Sequence, residues 1–307
     1  MEDWNDLRLV LAVARAASLT RAAKALGIDH STAFRRLNAL EGRMGARLFE
    51  RLPGGTYRPT GPGERMVDAA ERMEAEALAL TRDIEGQDRR LTGRLRVTSS
   101  ETLAQRQLPA ALAAFRATHP GILVELVVDN RVLSLSRREA DIALRPVRPR
   151  ETDLWGRKLA DIAWALYASR AWLAEHGPID GVSALPSLPL IGWDEAAGGI
   201  AAARWLAETV PDEAVVFRSS SLVNQFSAAR AGIGLALLPC YLGDAEPDIT
   251  RALPEPIAAL SAELWIVTHR DLKATARVRA FFDVVGGELG GAKRLFAGEL
   301  AGGEGTG

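Results

Sequence analysis

The sequence predicts a mixed α and α/β protein: a small helical module closed by a hairpin, then a long linker helix, then a two-lobed α/β body. Three observations predict it. Apolar residues keep the spacing of helix faces through residues 6–43. A run of apolar residues stepping by four and three crosses residues 66–84, and from Arg94 onward strand-like runs alternate with helical ones. At 307 residues the chain is longer than one core usually organises, about 250 residues.

Composition narrows the class. Hydrophobic residues at 48% and charged residues at 25% are those of a soluble globular protein, with no apolar stretch long enough to span a bilayer, so no membrane partner is expected. The opening Met1-Glu2-Asp3-Trp4-Asn5-Asp6 lacks the basic and apolar regions of a signal peptide, which predicts a cytoplasmic location. A single cysteine, Cys240, forms no internal disulfide and no Cys-x-x-Cys motif, and its apolar neighbourhood predicts an inert core thiol. The net charge of −1 conceals a split. Residues 1–65 carry eleven Lys/Arg against seven Asp/Glu, a net +4, which leaves −5 for the remainder. Any contact with a polyanion is therefore expected at the N-terminal end.

The elements follow in order. Leu7, Val10, Leu11, Ala14 and Ala17 mark the face of a first helix. Ser18 or Thr20 caps a short second helix over Thr20–Leu26, and Gly27 ends it in the left-handed conformation. Asp29 caps a third, running to about Arg43, with Ala33, Leu37 and Leu40 as its buried stripe. Two helices joined by so tight a turn form a helix-turn-helix.

On the opposite face of the third helix stand His30, Ser31, Phe34, Arg35 and Asn38, flanked by Thr32 and Arg36. In a major groove Arg donates twice to guanine, Ser, His and Asn bond base edges, and Phe touches a thymine methyl. The competing reading is an ordinary solvated face. Leu48–Arg51 and Tyr57–Thr60 flank Leu52-Pro53-Gly54-Gly55-Thr56 as a hairpin, a wing on which Arg51 and Arg58 would lie beside phosphates or else in solvent.

Met66, Ala70, Met73, Ala77, Leu80 and Ile84 form a coiled-coil seam, with packing onto the chain's own domain as its alternative. Strands at Leu95–Val97, Ile122–Val128 and Asp141–Arg145 surround one helix carrying Leu103, Leu108, Leu112 and Phe115. A second unit follows, with strands near Ile162–Tyr167, Pro189–Trp193, Val215–Arg218, Gly232–Pro239 and Leu264–Thr268. This alternation implies a largely parallel sheet. The predicted organisation is residues 1–60 as the helix-turn-helix module, 61–92 as the linker helix, 93–285 as the two-lobed body and 286–307 as a flexible, glycine-rich tail.

In the body, Ser99, Ser100 and Thr102 lie between the first strand and its helix, and Ser219, Ser220 and Ser221 at the corresponding junction of the second lobe. Two such junctions facing one cleft would bracket an acidic metabolite, with Asn130, Arg145 and Trp193 at strand ends lining the same cavity. For any one serine the alternative is helix capping. Glu101 stands against an anion, since an inward carboxylate would repel it. Gly-x-Ser-x-Gly, His-Glu-x-x-His and a strand-linked phosphate loop are absent, so neither an enzyme nor a metal or cofactor is expected.

Ser18-Leu19-Thr20-Arg21-Ala22-Ala23-Lys24-Ala25-Leu26-Gly27, Leu40-Glu41 and Leu48-Phe49-Glu50-Arg51 together resemble the winged helix of LysR-type transcriptional regulators. In the body, Arg116–Pro120, Arg138–Ala143, Ala231–Gly234 and Leu238-Pro239 resemble that family's effector-binding domain. The resemblance covers nearly the whole chain except the tail. It implies a two-lobed body of the type 2 periplasmic-binding-protein kind, whose crossing strands would lie near 160–164 and 263–266. It also implies double-stranded DNA and a small-molecule effector as partners, and a homodimer through the linker helix that pairs into a tetramer. Asp29-His30-Ser31 departs from the family's usual Ser-Gln opening of the recognition helix, which implies a different operator. A solute receptor whose N-terminal module binds something other than DNA is the alternative.

Overall fold

A computed structural model describes residues 4–86, 90–129, 135, 139–149, 151–194 and 200–299. The chain divides into two compact units, residues 1–82 and 83–307. Among the described residues no helix is long and apolar enough to cross a membrane.

The first unit contains α1 (Trp4–Ala16), α2 (Leu19–Leu26), α3 (His30–Met44), a hairpin of β1 (Phe49–Leu52) and β2 (Thr56–Pro59), and α4 (Gly61–Gly86). Ser18 is the N-cap of α2, accepting from the Arg21 amide, and Gly27 ends the helix at φ 66°. Asp29 occupies the N-cap of α3 but its side chain makes no capping bond. Val10, Val13, Ala22, Ala33 and Leu37 are fully buried in the core of this unit. One buried acid organises the path from α3 into the hairpin. Glu41 Oε1 accepts from the amides of Leu48 (2.9 Å) and Phe49 (3.3 Å), and its Oε2 pairs with Arg47 at 2.7 Å. Gly63 is obligatory, because a Cβ there would lie 2.0 Å from the Leu48 carbonyl oxygen as α4 passes over it.

The expected seam of α4 splits. Met66 and Ala70 are buried in the unit's own core, whereas Met73, Ala77 and Leu80 are exposed. The side chain of Ile84 lies outside the described residues.

The second unit holds β3 (Gly93–Ser99), α5 (Glu101–Arg106), α6 (Leu108–Thr118), β4 (Ile122–Val128), β5 (Ile142–Arg145), β6 (Leu154–Ser169), α7 (Arg170–His176), β7 (Leu190–Gly192), α8 (Ala201–Thr209), β8 (Val215–Arg218), α9 (Leu222–Arg230), β9 (Leu235–Pro239), α10 (Cys240–Gly243), β10 (Ile249–Arg251), β11 (Ser261–His269), α11 (Ala276–Gly291) and α12 (Lys293–Phe296). The strand order is β4-β3-β5-β11-β6-β9-β7-β8, with β10 paired on β6. Each lobe has a parallel heart, β4-β3-β5 in one and β9-β7-β8 in the other. The largely parallel sheet expected from sequence is interrupted at its middle: β6 and β11 are antiparallel crossing strands, and β6 also meets β9 and β10 antiparallel. At sixteen residues β6 is long enough to belong to both lobes, pairing with β11 along its first part and with β9 and β10 along its last.

Continuous apolar strands follow from burial on both faces. In β9, Leu235 and Leu237 pack into the core of the second lobe, while Ala236 and Leu238 turn into the core shared with the first. The single helix expected across Leu103–Phe115 is two, α5 and α6, because Pro109 supplies no amide to continue the ladder and falls in the first turn of α6, where none is needed. The flexible tail expected from residue 286 is corrected as far as residue 296. α11 continues to Gly291 and α12 follows, with Leu289 and Phe296 buried. Burial of one helix face outweighs the low helix propensity of its glycines, and at Gly286 the missing side chain admits the Arg157 guanidinium, 3.0 Å from where a Cβ would stand.

Candidate functional site

Two surfaces gather the polar residues singled out above. The first is the outer face of α3. Ala33, Leu37 and Leu40 bury its inner face completely, which forces His30, Ser31, Phe34, Arg35 and Arg36 outward, with Thr32 and Asn38 half-buried at the margins. His30 stacks on Phe34 at 6.4 Å between ring centres.

The wing joins this face directly. Arg51 places its guanidinium 5.0 Å from the centre of the Phe34 ring and 5.8 Å from that of Tyr57, and donates to Asn38 Oδ1 at 2.6 Å. Phe34, Asn38 and Arg51 were expected as separate contacts and are one cluster, locking the wing against the helix. Arg58 faces Glu50 across the hairpin and donates to it through Nε (3.1 Å) and Nη2 (2.5 Å). Both wing arginines are therefore already oriented by neighbours, whereas Arg35 and Arg36 project from the helix.

The second is the junction between the lobes of the second unit. Ser99 ends β3 beside Leu144 of β5, so Ser100 and Arg145 follow at the same level. Arg145 is almost fully buried, with Nη1 donating to the Asp129 carbonyl (2.5 Å) and Nη2 to Thr98 Oγ1 (2.8 Å). Burial pulls its pKa below the usual arginine value, against an opposing pull from Asp129. In the other lobe the Ser219 amide donates to the Gly192 carbonyl at 3.0 Å, which sets Ser219 beside Trp193 at the end of β7. Ser221 caps α9 by accepting from the Asn224 amide at 3.1 Å, and Ser219 Oγ accepts from the Ser221 amide at 3.2 Å. Capping therefore accounts for Ser221, and a local turn for Ser219. Ser220 is exposed. Asn130 lies outside the described residues.

Several contacts join the lobes, among them Gln107 Nε2 donating to the Tyr241 carbonyl at 3.3 Å and Arg106 Nη2 to the Ala245 carbonyl at 2.6 Å. Ser221 Oγ lies 3.0 and 2.9 Å from the two carboxylate oxygens of Glu101, and Thr102 Oγ1 lies 2.7 Å from the Tyr241 hydroxyl on α10. Thr102 is thus a bolt between lobes rather than an open hydroxyl. Around these bolts, Ser99 Oγ, Ser100 Oγ, Arg145 Nε, Trp193 Nε1 and Gln225 Oε1 are buried with no hydrogen-bond partner among the described residues. Buried polar atoms are ordinarily paired, so a concentration of unpaired ones marks where a further molecule would complete the network. Sequence reasoning missed Gln225 and Tyr241. The only signal was position: Gln225 falls one helical turn beyond Ser221, and Tyr241 just past a strand end. Glu41 stood within a quoted motif, but nothing in the sequence assigned it to two backbone amides. Among the described residues no cluster of side chains has the makings of a metal site.

Comparison with known proteins bears on both surfaces. Residues 4–64 match the family model described as a bacterial regulatory helix-turn-helix protein of the lysR family, and residues 88–290 match the LysR substrate binding domain. The Mau operon transcriptional activator of Paracoccus denitrificans is 34% identical over 168 residues, 55% of this chain but only 59% of that relative. The HTH-type transcriptional regulator CrgA of Neisseria meningitidis is 27% identical over 93% of this chain and 97% of its own length. The solved structure of CrgA, titled a LysR-type transcriptional regulator, superimposes with a TM-score of 0.57 at 25% identity, covering 94% of this chain and all of that one.

Proposed function

The chain belongs to the LysR family of bacterial helix-turn-helix regulators, and we propose that it is a transcriptional regulator that reads double-stranded DNA with α3 and is controlled by a small molecule bound between the lobes of its second unit. The observation that carries the DNA half of this reading is the division of α3 into a wholly buried stripe and an outward face of His30, Ser31, Thr32, Phe34, Arg35, Arg36 and Asn38. Arg35 is the base-reading residue, since a guanidinium donates in pairs to guanine and this one projects from the middle of the face. Arg36 and Arg58 contact phosphates, and Arg51 holds the wing in register with α3. The unpartnered atoms of Ser99, Ser100, Arg145, Trp193 and Gln225 support the effector half.

Assembly is through α4. Met73, Ala77 and Leu80 keep the seam spacing and stay exposed on the single chain, which suits a second copy of the helix, and dimers pair into tetramers. Leu80→Glu should then release monomers in sedimentation velocity, and an unchanged sedimentation coefficient would remove α4 as the interface.

The reading is tested by fluorescence anisotropy on the DNA upstream of the protein's own gene, across a salt series. Wild type should bind with a strong inverse salt dependence. Arg35→Ala should weaken specific binding by about 1–3 kcal/mol, roughly 5- to 150-fold, while leaving binding to unrelated DNA nearly unchanged. Equal affinity for all sequences at every salt concentration would overturn it.

A further inference from the structure

We propose that Phe34 selects DNA by the 5-methyl group of a thymine, and that Arg51 is the positioning residue that holds its ring ready for that contact. This rests on the reading of α3 as the DNA-contacting helix and names what the centre of its outer face selects. Three observations carry it.

The first is where the ring stands. Ala33, Leu37 and Leu40 supply the core side of α3, whereas Phe34 keeps 38% of its surface exposed in the middle of a face otherwise built from His30, Ser31, Arg35 and Asn38. The fold therefore leaves apolar surface in water where a polar residue would cost nothing. A lone exposed apolar side chain is ordinary on a protein surface.

This one, however, is held in place, which is the second observation. His30 stacks on the ring from one helical turn before it, with ring centres 6.4 Å and planes 18° apart. Arg51 lies over the ring from the wing, its guanidinium 5.0 Å from the ring centre, and donates to Asn38 Oδ1, one turn after Phe34, at 2.6 Å. Tyr57 steadies the same guanidinium at 5.8 Å. Phe34 is thus bracketed along the helix, and its outward edge is what stays open. A side chain ordered before binding pays less entropy when it binds.

The third is the chemistry of the major groove. The thymine methyl is the apolar group on its floor, and the other base edges there present donors and acceptors. An apolar ring pressed on those edges strips them of water and returns no hydrogen bond, so it favours thymine by attraction and disfavours the rest by desolvation. Arg35 follows Phe34 directly. Neighbouring Cα atoms lie about 3.8 Å apart and stacked base pairs about 3.4 Å, so the thymine falls within about two base pairs of the guanine read by Arg35.

The test is fluorescence anisotropy of the full chain on the DNA upstream of its own gene, prepared once with thymine and once with uracil, which pairs alike but lacks the methyl group. Wild type should bind the uracil duplex about 3- to 10-fold more weakly for each α3 engaged, and single thymine-to-uracil exchanges should trace the loss to one position beside a guanine. Phe34→Ala should bind both duplexes alike, and Phe34→Leu, which keeps an apolar contact, should discriminate between them less than wild type and more than Phe34→Ala. Arg51→Lys should lower the ratio of the two affinities, whereas a merely structural role would lower both and leave their ratio unchanged. The Tm of each variant reports whether it folds as wild type does. Equal binding of the two duplexes by wild type overturns the proposal and leaves the DNA reading of α3 standing. Full discrimination retained by Phe34→Ala would belong to duplex shape or to another side chain, and overturns it as well. If wild type prefers neither duplex over unrelated DNA, the proposal and the DNA reading fall together.

Discussion

The helix-turn-helix unit and the two-lobed unit treat buried polarity in opposite ways. In the first, the buried acid Glu41 uses both oxygens, on two amides and on Arg47, and no buried side-chain polar atom of the described residues of that unit lacks a partner. In the second, Ser99, Trp193 and Gln225 bury polar atoms that meet no partner among the described residues. A satisfied network makes a stiff scaffold that presents a fixed face to a partner outside it. An unsatisfied one carries an energetic deficit that only a molecule inside can remove. On the proposed function, the difference separates a unit that reads a surface from one that encloses a ligand.

The sharpest way to break this comparison is to unsatisfy the satisfied unit. Glu41→Ala strands the amides of Leu48 and Phe49 and should destabilise the N-terminal unit by about 2–4 kcal/mol, abolishing DNA binding near its lowered Tm. Calorimetric scanning should show one transition moving down while that of residues 83–307 stays. Movement of both would mean that the units fold as one.

A smaller effect separates the wing arginines. Arg51→Lys keeps the charge but forfeits the planar stack on Phe34 and Tyr57, and should weaken specific binding several-fold by about 1 kcal/mol while blurring sequence preference. Arg58→Ala should lower affinity evenly across sequences and reduce the salt slope by about one. If Arg58→Ala instead changes sequence preference, the proposed division of labour is wrong.

The smallest expected effect is none. Burial raises the Cys240 thiol pKa, with the Tyr167 bond opposing, so at pH 8 the folded protein holds little thiolate there. Gly298 also covers the sulfur: a Cβ at that position would stand 2.8 Å from it. An aromatic disulfide reagent should leave the native protein unlabelled at pH 8 and titrate one thiol once it is unfolded. Rapid native labelling would show the C-terminal helices opening.

Much of this molecule was legible in its residues, and the reason is locality. Ser18, Gly27 and the Ala33–Leu37–Leu40 stripe act within one or two helical turns, so the helix-turn-helix and its outward face can be read from spacing alone. The strands of the body follow from apolar runs too short to be helices. Where the reading failed, a distant partner or a competing local rule was responsible. The C-terminal helices form because Leu289 and Phe296 find a core, which composition cannot reveal in a glycine-rich stretch. The break between α5 and α6 turned on Pro109, a signal that was present but outweighed by the apolar periodicity around it.

The candidate interlobe site divides the same way. By itself the sequence determined which serines sit at strand-to-helix junctions, that Glu101 stands among them, and that α3 carries a polar face, because each depends on residues a few positions apart. Only the tertiary structure decided that Glu101 meets Ser221, 120 residues away, that Thr102 is spent on Tyr241, and that Gln225 Oε1 has no partner among the described residues. Those outcomes depend on how the crossing strands set one lobe against the other. A hydrogen bond across that distance is fixed by sheet register and helix packing, and no local pattern encodes either.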